Sequence, residues 1–125
     1  MEPRVLIVDG NPEDVRLMSE TLALRGFAID VAQRERALET LEQRRPDVVL
    51  LDVAGPSSGG MELLDRIRAS PHFAATPVIV VTANARDDDV LAGYKFGADY
   101  YLTKPVTARR LLRGVGLVLG REFQE

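Results

Sequence analysis

Two short apolar stretches, Val5-Leu6-Ile7-Val8-Asp9 and Asp47-Val48-Val49-Leu50-Leu51-Asp52, decide the fold that this sequence predicts. Each contains four consecutive aliphatic residues and ends in an aspartate. An unbroken apolar run of this length is typical of a strand that is buried on both faces. The two stretches therefore predict central strands of a parallel sheet.

Further strands and helices are predicted on either side of these runs. The additional strands are residues 27–31 (an alternating, outer strand), 77–82 and 99–103. The predicted helices run from Asn11-Pro12 to Gly26, over residues 34–45 and 61–69, from Asp87-Asp88-Asp89 to Gly97, and from the cap Thr107 through Leu119. Strands alternating with helices predict an α/β fold, a five-stranded parallel sheet that is doubly wound.

Polar side chains follow four of the five predicted strands. They are Asp9, Asp52, Thr82 and Lys104. In a sheet of this kind ligands bind beyond the carboxyl ends of the strands, so we expect these four residues to converge. Two carboxylates repel each other and favour a divalent cation or an ammonium between them. With a lysine and a hydroxyl, the set suits phosphoryl transfer. Taken alone, an aspartate at a strand end is more often a helix cap, and a Lys-Pro pair is usually a surface turn.

Composition limits the alternatives. The 125 residues predict one domain, 1–125, with no cysteine for a disulfide, a thiol nucleophile or a cysteine zinc site. His72 is the only histidine, so a multi-histidine metal site is excluded. A net charge of -3 argues against nucleic-acid binding, and the short apolar run after Met1 is neither a signal peptide nor a membrane span. We therefore expect a cytoplasmic protein.

Four motifs together resemble the receiver domain of two-component response regulators. They are Val5-Leu6-Ile7-Val8-Asp9; Leu50-Leu51-Asp52 with Pro56 and Gly60; Val80-Val81-Thr82-Ala83; and the stretch Gly97-Ala98-Asp99-Tyr100-Tyr101-Leu102-Thr103-Lys104-Pro105. They span nearly the whole chain in the family's order. The resemblance implies a flavodoxin-like (βα)5 fold with strand order 2-1-3-4-5.

The resemblance also implies a role for each site residue. Asp52 would be the phospho-acceptor, and Mg²⁺ would be held by Asp9, Asp52 and the backbone carbonyl of Ala54. Thr82, Ala83 and Lys104 would contact the phosphoryl group, and Lys104-Pro105 would be a cis peptide. Tyr101 would be the aromatic switch, unless it is simply a half-buried side chain of an edge strand.

The partners follow from the same resemblance. A sensor histidine kinase or a phosphotransfer protein would supply the phosphoryl group. The domain would act in signalling and not as an enzyme, apart from slow self-catalysed phosphotransfer and dephosphorylation. The surface that changes on phosphorylation would comprise the helix predicted between Asp87 and Gly97, the last strand and the last helix. Arg109, Arg110 and Arg113 on the last helix, with the aspartates at 87–89, favour a homodimer through that face or form an ordinary solvated surface.

Gly10 departs from the family pattern, which has a second acid after the first strand. With Asp9, Asp52 and Lys104 alone, the site has a formal charge of -1, and we expect weaker Mg²⁺ binding because one oxygen ligand is missing. Water could replace that ligand, Glu13 could reach the site, or the domain could be a pseudo-receiver that works by binding alone.

Two other classes of protein fit the sequence less well. A dehalogenase-type hydrolase would need an acid where this chain has Asn11, and a dinucleotide-binding fold would need a glycine-rich turn after the first strand.

Overall fold

A parallel β-sheet forms the centre of the computed structural model, which describes residues 2–53, 60–83 and 97–123. Its strands are β1 (Arg4–Val8), β2 (Ala28–Ala32), β3 (Val48–Asp52), β4 (Val78–Thr82) and β5 (Tyr100–Thr103), in the order β2-β1-β3-β4-β5. The described helices are α1 (Pro12–Ala23), α2 (Arg34–Arg44), α3 (Gly60–Ala69) and α4 (Ala108–Leu119). The predicted fold class and strand order are confirmed.

The strand boundaries differ from the predicted ones by one residue. The outer strand begins at Ala28 rather than Phe27, because the Phe27 amide still donates to the Leu22 carbonyl at the end of α1. The Ala28 amide donates to the Pro3 carbonyl and starts the ladder with β1. The predicted helix between Asp87 and Gly97 and the loop at residues 54–59 lie outside the described residues, apart from Gly97 itself.

Each face of the sheet is covered by a separate helical layer. Alternate residues of the strands point to opposite faces, so Val5 and Ile7 contact one layer while Leu6 and Val8 contact the other. On the first face the core is completed by α1 and α4, through Met18, Leu22, Leu111, Leu112 and Val115. On the second it is completed by α2 and α3, through Ala37, Leu41, Leu63, Leu64 and Ile67. This two-sided burial explains why the central strands are continuous apolar runs.

Local signals at the helix ends fix where the helices begin. The side chain of Asn11 accepts hydrogen bonds from the backbone amides of Glu13 and Asp14 (3.0 and 3.1 Å), and Pro12 occupies the first helical position, as predicted. Thr107 caps α4 through the Arg110 amide. These caps set the direction in which α1 and α4 leave the carboxyl edge of the sheet. Among the described helices, none is long and apolar enough to cross a bilayer.

Arg68 of α3 links this helix to the segments that lead into β4 and β5. Its guanidinium donates to the carbonyls of Gly97, Ala74 and Thr76 at 2.9, 3.1 and 2.6 Å. It also pairs with the Asp99 carboxylate at 2.6 Å. One side chain therefore satisfies three backbone acceptors and one charge at the edge of the sheet.

The two tyrosines of β5 lie on opposite faces of the sheet. Tyr100 packs against the layer of α1 and α4, and Tyr101 packs against the layer of α2 and α3. The ring of Tyr100 lies so close to Gly114 of α4 that an added Cβ there would be 2.9 Å from Cε2. Both tyrosines are half-buried.

Candidate functional site

The carboxyl edge of the sheet brings together the charged residues that the sequence places after its strands. Asp9 follows β1, Asp52 ends β3, and Lys104 follows β5. The ammonium of Lys104 lies 3.3 Å from Oδ1 of Asp52 and 3.8 Å from Oδ2 of Asp9. An ammonium thus lies between two carboxylates, the arrangement that repulsion between the two acids favours.

Thr82 lies on the neighbouring strand at the same edge. It ends β4, is almost completely buried, and its backbone carbonyl accepts a hydrogen bond of 2.8 Å from the Lys104 amide. That bond fixes the start of the lysine loop relative to β4. Ala83 follows and is exposed, whereas Ala54, the expected carbonyl ligand, lies outside the described residues.

Asp9 has one oxygen engaged and one without a hydrogen bond. Its Oδ1 accepts from the Asn11 amide at 2.8 Å, while its Oδ2 is buried and has no hydrogen-bond partner among the described residues. Burial raises the pKa of Asp9 to about 6; the Asn11 hydrogen bond acts against this rise, and the charge of Asp52 adds to it. A buried carboxylate oxygen that accepts no hydrogen bond is available as a ligand for a hard cation.

Lys104 has a third acidic partner, Asp14 of α1. The Lys104 ammonium donates to Oδ2 of Asp14 at 2.8 Å, the shortest of its three ion-pair distances. Burial lowers the pKa of Lys104, but the Asp14 hydrogen bond and the charges of Asp9 and Asp52 outweigh it, so the pKa lies above its usual value. The lysine therefore remains charged.

Asp14 corrects the charge expected for the site. Three carboxylates around one ammonium give a formal charge of -2, so the predicted value of -1 is wrong. The acid that reaches the site from the first turn of α1 is Asp14 rather than Glu13, which is exposed. The sequence did contain a signal, because the Asn11-Pro12 start of the helix fixes Asp14 as its third residue.

Gly10 leaves an opening beside Asp52. A Cβ built at Gly10 would meet no heavy atom of the described residues within 4 Å, and the φ of Gly10 is not positive, so an L side chain is not strained there. A cavity of about 310 Å³ opens there, lined by Val8, Asp9, Gly10, Gln33, Arg34, Glu35 and Asp52. A larger side chain at position 10 would therefore fit without displacing its neighbours.

The donor set fits a magnesium ion. Asp9 offers an oxygen that accepts no hydrogen bond from the residues that the structure describes, Asp52 offers a second carboxylate, and both line the cavity. Asp14 is not part of that lining, and the described residues include no group of three acidic or histidine side chains placed to hold a metal. Among the described residues, the carboxylates of Asp9 and Asp52 could therefore hold a cation, while Asp14 contacts the lysine.

The lysine loop is held by a residue whose role was not predicted. The peptide bond between Lys104 and Pro105 is cis. Arg110 of α4 donates to the carbonyls of Thr103 and Pro105 (2.9 and 3.1 Å) and to the hydroxyl of Thr103 at 2.8 Å. Arg110 therefore holds the backbone on both sides of Lys104, a role that the sequence did not predict, and it remains exposed on α4, where a solvated surface or a dimer face was expected.

Comparisons with known proteins agree with this geometry. The response regulator receiver domain family matches residues 5–115. A 14.6 kDa protein of Leptolyngbya boryana, described as uncharacterized, is 37% identical over 110 residues, which are 87% of this chain and 84% of that protein. Other curated relatives are longer, and the chain spans about half the length of the transcriptional regulators among them.

Solved structures give the same result. The chemotaxis response regulator CheY4 of Vibrio cholerae superposes with a TM-score of 0.86 at 27% identity, over 94% of this chain and 99% of that one. The Mn²⁺-bound form of the response regulator Rcp1 superposes with a TM-score of 0.75 at 29% identity, over 94% and 90% of the two chains. With the family match over most of the sequence, these likenesses show that the chain belongs to the response regulator receiver domain family.

Proposed function

We propose that this domain accepts a phosphoryl group on Asp52 from a sensor histidine kinase or a phosphotransfer protein. The observation that carries the proposal is the position of Asp52, whose Oδ1 lies 3.3 Å from the Lys104 ammonium at the carboxyl edge of the sheet. A carboxylate oxygen of Asp52 attacks phosphorus, the bond from phosphorus to the donor's imidazole nitrogen breaks, and the imidazole leaves with a proton from solvent.

Lys104, Thr82 and Ala83 stabilise the group being transferred. The ammonium of Lys104 neutralises charge on the phosphoryl oxygens, and the hydroxyl of Thr82 and the backbone amide of Ala83 donate hydrogen bonds to them. Asp9, Asp52 and the backbone carbonyl of Ala54 would hold Mg²⁺, which would supply the remaining charge neutralisation. Because Gly10 offers no carboxylate, we expect this domain to bind Mg²⁺ more weakly than a receiver with an acidic pair.

Phosphorylation would be read on the surface that contains β5 and α4. Movement of Thr82 toward the phosphoryl group lets Tyr101 turn inward and alters that surface together with the helix expected between Asp87 and Gly97. We propose that a second copy of the domain docks there, in the cytoplasm. Sedimentation of the phosphorylated and unphosphorylated forms tests this proposal, which an unchanged monomer would contradict.

Phosphotransfer is tested by incubating the protein with acetyl phosphate and Mg²⁺ and measuring its intact mass. We expect a gain of one phosphoryl group in the wild type and in Asp65→Asn, an exposed control on α3. We expect no gain in Asp52→Asn. The adduct should be lost on treatment with hydroxylamine, which cleaves acyl phosphates.

The second candidate function is that of a pseudo-receiver, which binds its partner without phosphorylation. Gly10 is the observation that favours it, because the cation site lacks one acidic ligand. If the wild type gains no phosphoryl group at any Mg²⁺ concentration, the pseudo-receiver replaces the phospho-acceptor as the better explanation. A gain that persists in Asp52→Asn would contradict Asp52 as the acceptor.

A further inference from the structure

We propose that Asp14 is a positioning residue that holds the Lys104 ammonium toward α1, and so restores to the site the negative charge that Gly10 does not supply. The inference rests on the proposed function, because it concerns the cation that assists phosphorylation of Asp52. Asp14 acts on the lysine, and through the lysine on the oxygens that are left for Mg²⁺.

The distances around the ammonium support this role. Nζ of Lys104 is within hydrogen-bond distance of Asp14 (2.8 Å), is farther from Asp52 (3.3 Å), and is beyond hydrogen-bond distance from Asp9 (3.8 Å). The lysine and Asp14 side chains are 18% and 21% exposed, so their attraction is only partly screened by water. Of the three carboxylates around the ammonium, Asp14 therefore binds it most closely, and Asp14 is the one of the three that does not line the cavity beside Gly10.

The contact between Asp14 and Lys104 affects Mg²⁺ binding because the lysine ammonium and Mg²⁺ compete for the same oxygens. An ammonium and Mg²⁺ both seek the oxygens of Asp9 and Asp52, and a lysine without another partner would approach those oxygens more closely. Asp14 offers the ammonium a different acceptor. Oδ2 of Asp9, which has no hydrogen-bond partner in the described part of the chain, lies 3.8 Å from the ammonium and is left for the cation.

The backbone of Asp14 is fixed by the cap of α1. Its amide donates to the side chain of Asn11 at 3.1 Å, and the Asn11 amide in turn donates to Asp9 at 2.8 Å. The same cap thus orients a cation ligand and the residue that holds the lysine. Preorganisation of this kind lowers the entropic cost of keeping two side chains in one geometry.

A double-mutant cycle measured by isothermal titration with Mg²⁺ at pH 7.5 tests the inference. The variants are Asp14→Ala, Lys104→Met and their combination, with Glu13→Ala as the matched control, since it removes an exposed acid from the same helical turn. We expect Asp14→Ala to weaken Mg²⁺ binding about fivefold, the effect of losing one partly screened charged hydrogen bond. Glu13→Ala should bind as the wild type does.

The lysine-free background distinguishes positioning from a direct effect. If Asp14 acts through Lys104, Lys104→Met binds Mg²⁺ more tightly than the wild type, and adding Asp14→Ala then changes the affinity less than twofold. A full effect of Asp14→Ala in that background would overturn the inference, because Asp14 would be acting on the cation itself. Equal weakening by Glu13→Ala would overturn it too, as a general effect of charge at the helix end.

Two further outcomes separate this inference from the proposed function. If the wild type binds Mg²⁺ and Asp14→Ala binds it equally well, only the positioning role is wrong. If the wild type binds no Mg²⁺, the proposed cation is wrong and the positioning role is overturned with it. Circular dichroism verifies that each variant is folded, and Asp14→Asn, which keeps the shape of the side chain, repeats the test without altering packing.

Discussion

Replacing Gly10 by aspartate should strengthen Mg²⁺ binding. The position is exposed, an added Cβ would have no heavy atom of residues 2–53, 60–83 or 97–123 within 4 Å, and it lines the same cavity as Asp9 and Asp52. One further charge-assisted contact is worth about 1–3 kcal/mol, and we take about 1–2 kcal/mol because water screens an exposed site. That free energy corresponds to a roughly 5- to 30-fold lower Kd.

The assay is isothermal titration of Mg²⁺ into the wild type, Gly10→Asp and Gly10→Asn at pH 7.5. Gly10→Asn has the same shape without the charge, so it separates the carboxylate from the loss of backbone freedom that any side chain brings. Because the sequence contains no tryptophan, calorimetry or NMR replaces the usual fluorescence titration. Phosphorylation by acetyl phosphate should reach half its maximum at a correspondingly lower Mg²⁺ concentration in Gly10→Asp.

Equal Mg²⁺ affinities of Gly10→Asp and Gly10→Asn would contradict the prediction that a carboxylate at position 10 strengthens Mg²⁺ binding. Such a result would mean that a carboxylate at position 10 does not reach the cation, and that the gap in the acidic pair has no electrostatic cost. Tighter binding by both variants would instead assign the effect to the backbone.

Three further predictions concern stability, measured by urea unfolding in EDTA. Asp9→Asn should be more stable than the wild type at pH 7.5 by about 1–3 kcal/mol, because burial raises the pKa of Asp9 to about 6 from its ordinary 3.8; the difference should vanish as the pH falls from 6 to below 3.8. Gly114→Ala should be less stable by about 1–2 kcal/mol, since its Cβ would lie 2.9 Å from the Tyr100 ring. Arg68→Ala should be less stable by about 2–3 kcal/mol, because it removes the donor to three carbonyls and the ion pair with Asp99, whose carboxylate keeps only the Val78 amide; the exposed Arg66→Ala should change stability by under about 0.5 kcal/mol.

Each of these predictions has a result that contradicts it. A constant difference between Asp9→Asn and the wild type from pH 7.5 to 3.5 would show that Asp9 does not titrate as the structure indicates. An equal loss for Gly114→Ala in a Tyr100→Leu background would exclude the ring as the cause. Equal unfolding free energies of the Arg68 and Arg66 variants would show that the guanidinium network does not stabilise the fold.

Sequence reasoning predicted the sheet because hydrophobic runs and strand positions are encoded locally. The continuous apolar pattern of Val5–Val8 and Val48–Leu51 fits neither a half-exposed strand nor an amphipathic surface helix. Their burial therefore follows from that pattern alone. The convergence of Asp9, Asp52 and Lys104 follows from the parallel sheet, in which every carboxyl end lies at one edge.

The contacts that were missed depend on where long side chains turn. The Asn11-Pro12 start predicts only that Asp14 lies in the first turn of α1, and the packing of α1 against α4 and β2 shows that its carboxylate faces a lysine ninety residues later. Arg110 was assigned to a basic surface, yet its guanidinium folds back onto the backbone of Thr103 and Pro105. Arg45 ends α2 in the left-handed conformation at φ 47°, a position where a sequence pattern would place glycine.

The placement of Tyr100 and Tyr101 on opposite faces of one strand makes the pair a built-in spectroscopic reporter. The chain has only three tyrosines, so uniform labelling with 3-fluorotyrosine gives three ¹⁹F resonances, two of them from these adjacent residues. Tyr100 senses the layer of α1 and α4, and Tyr101 senses the layer of α2 and α3. A shift of the Tyr101 resonance alone would record a rotation of that ring, whereas shifts of both would record a displacement of the strand that carries them.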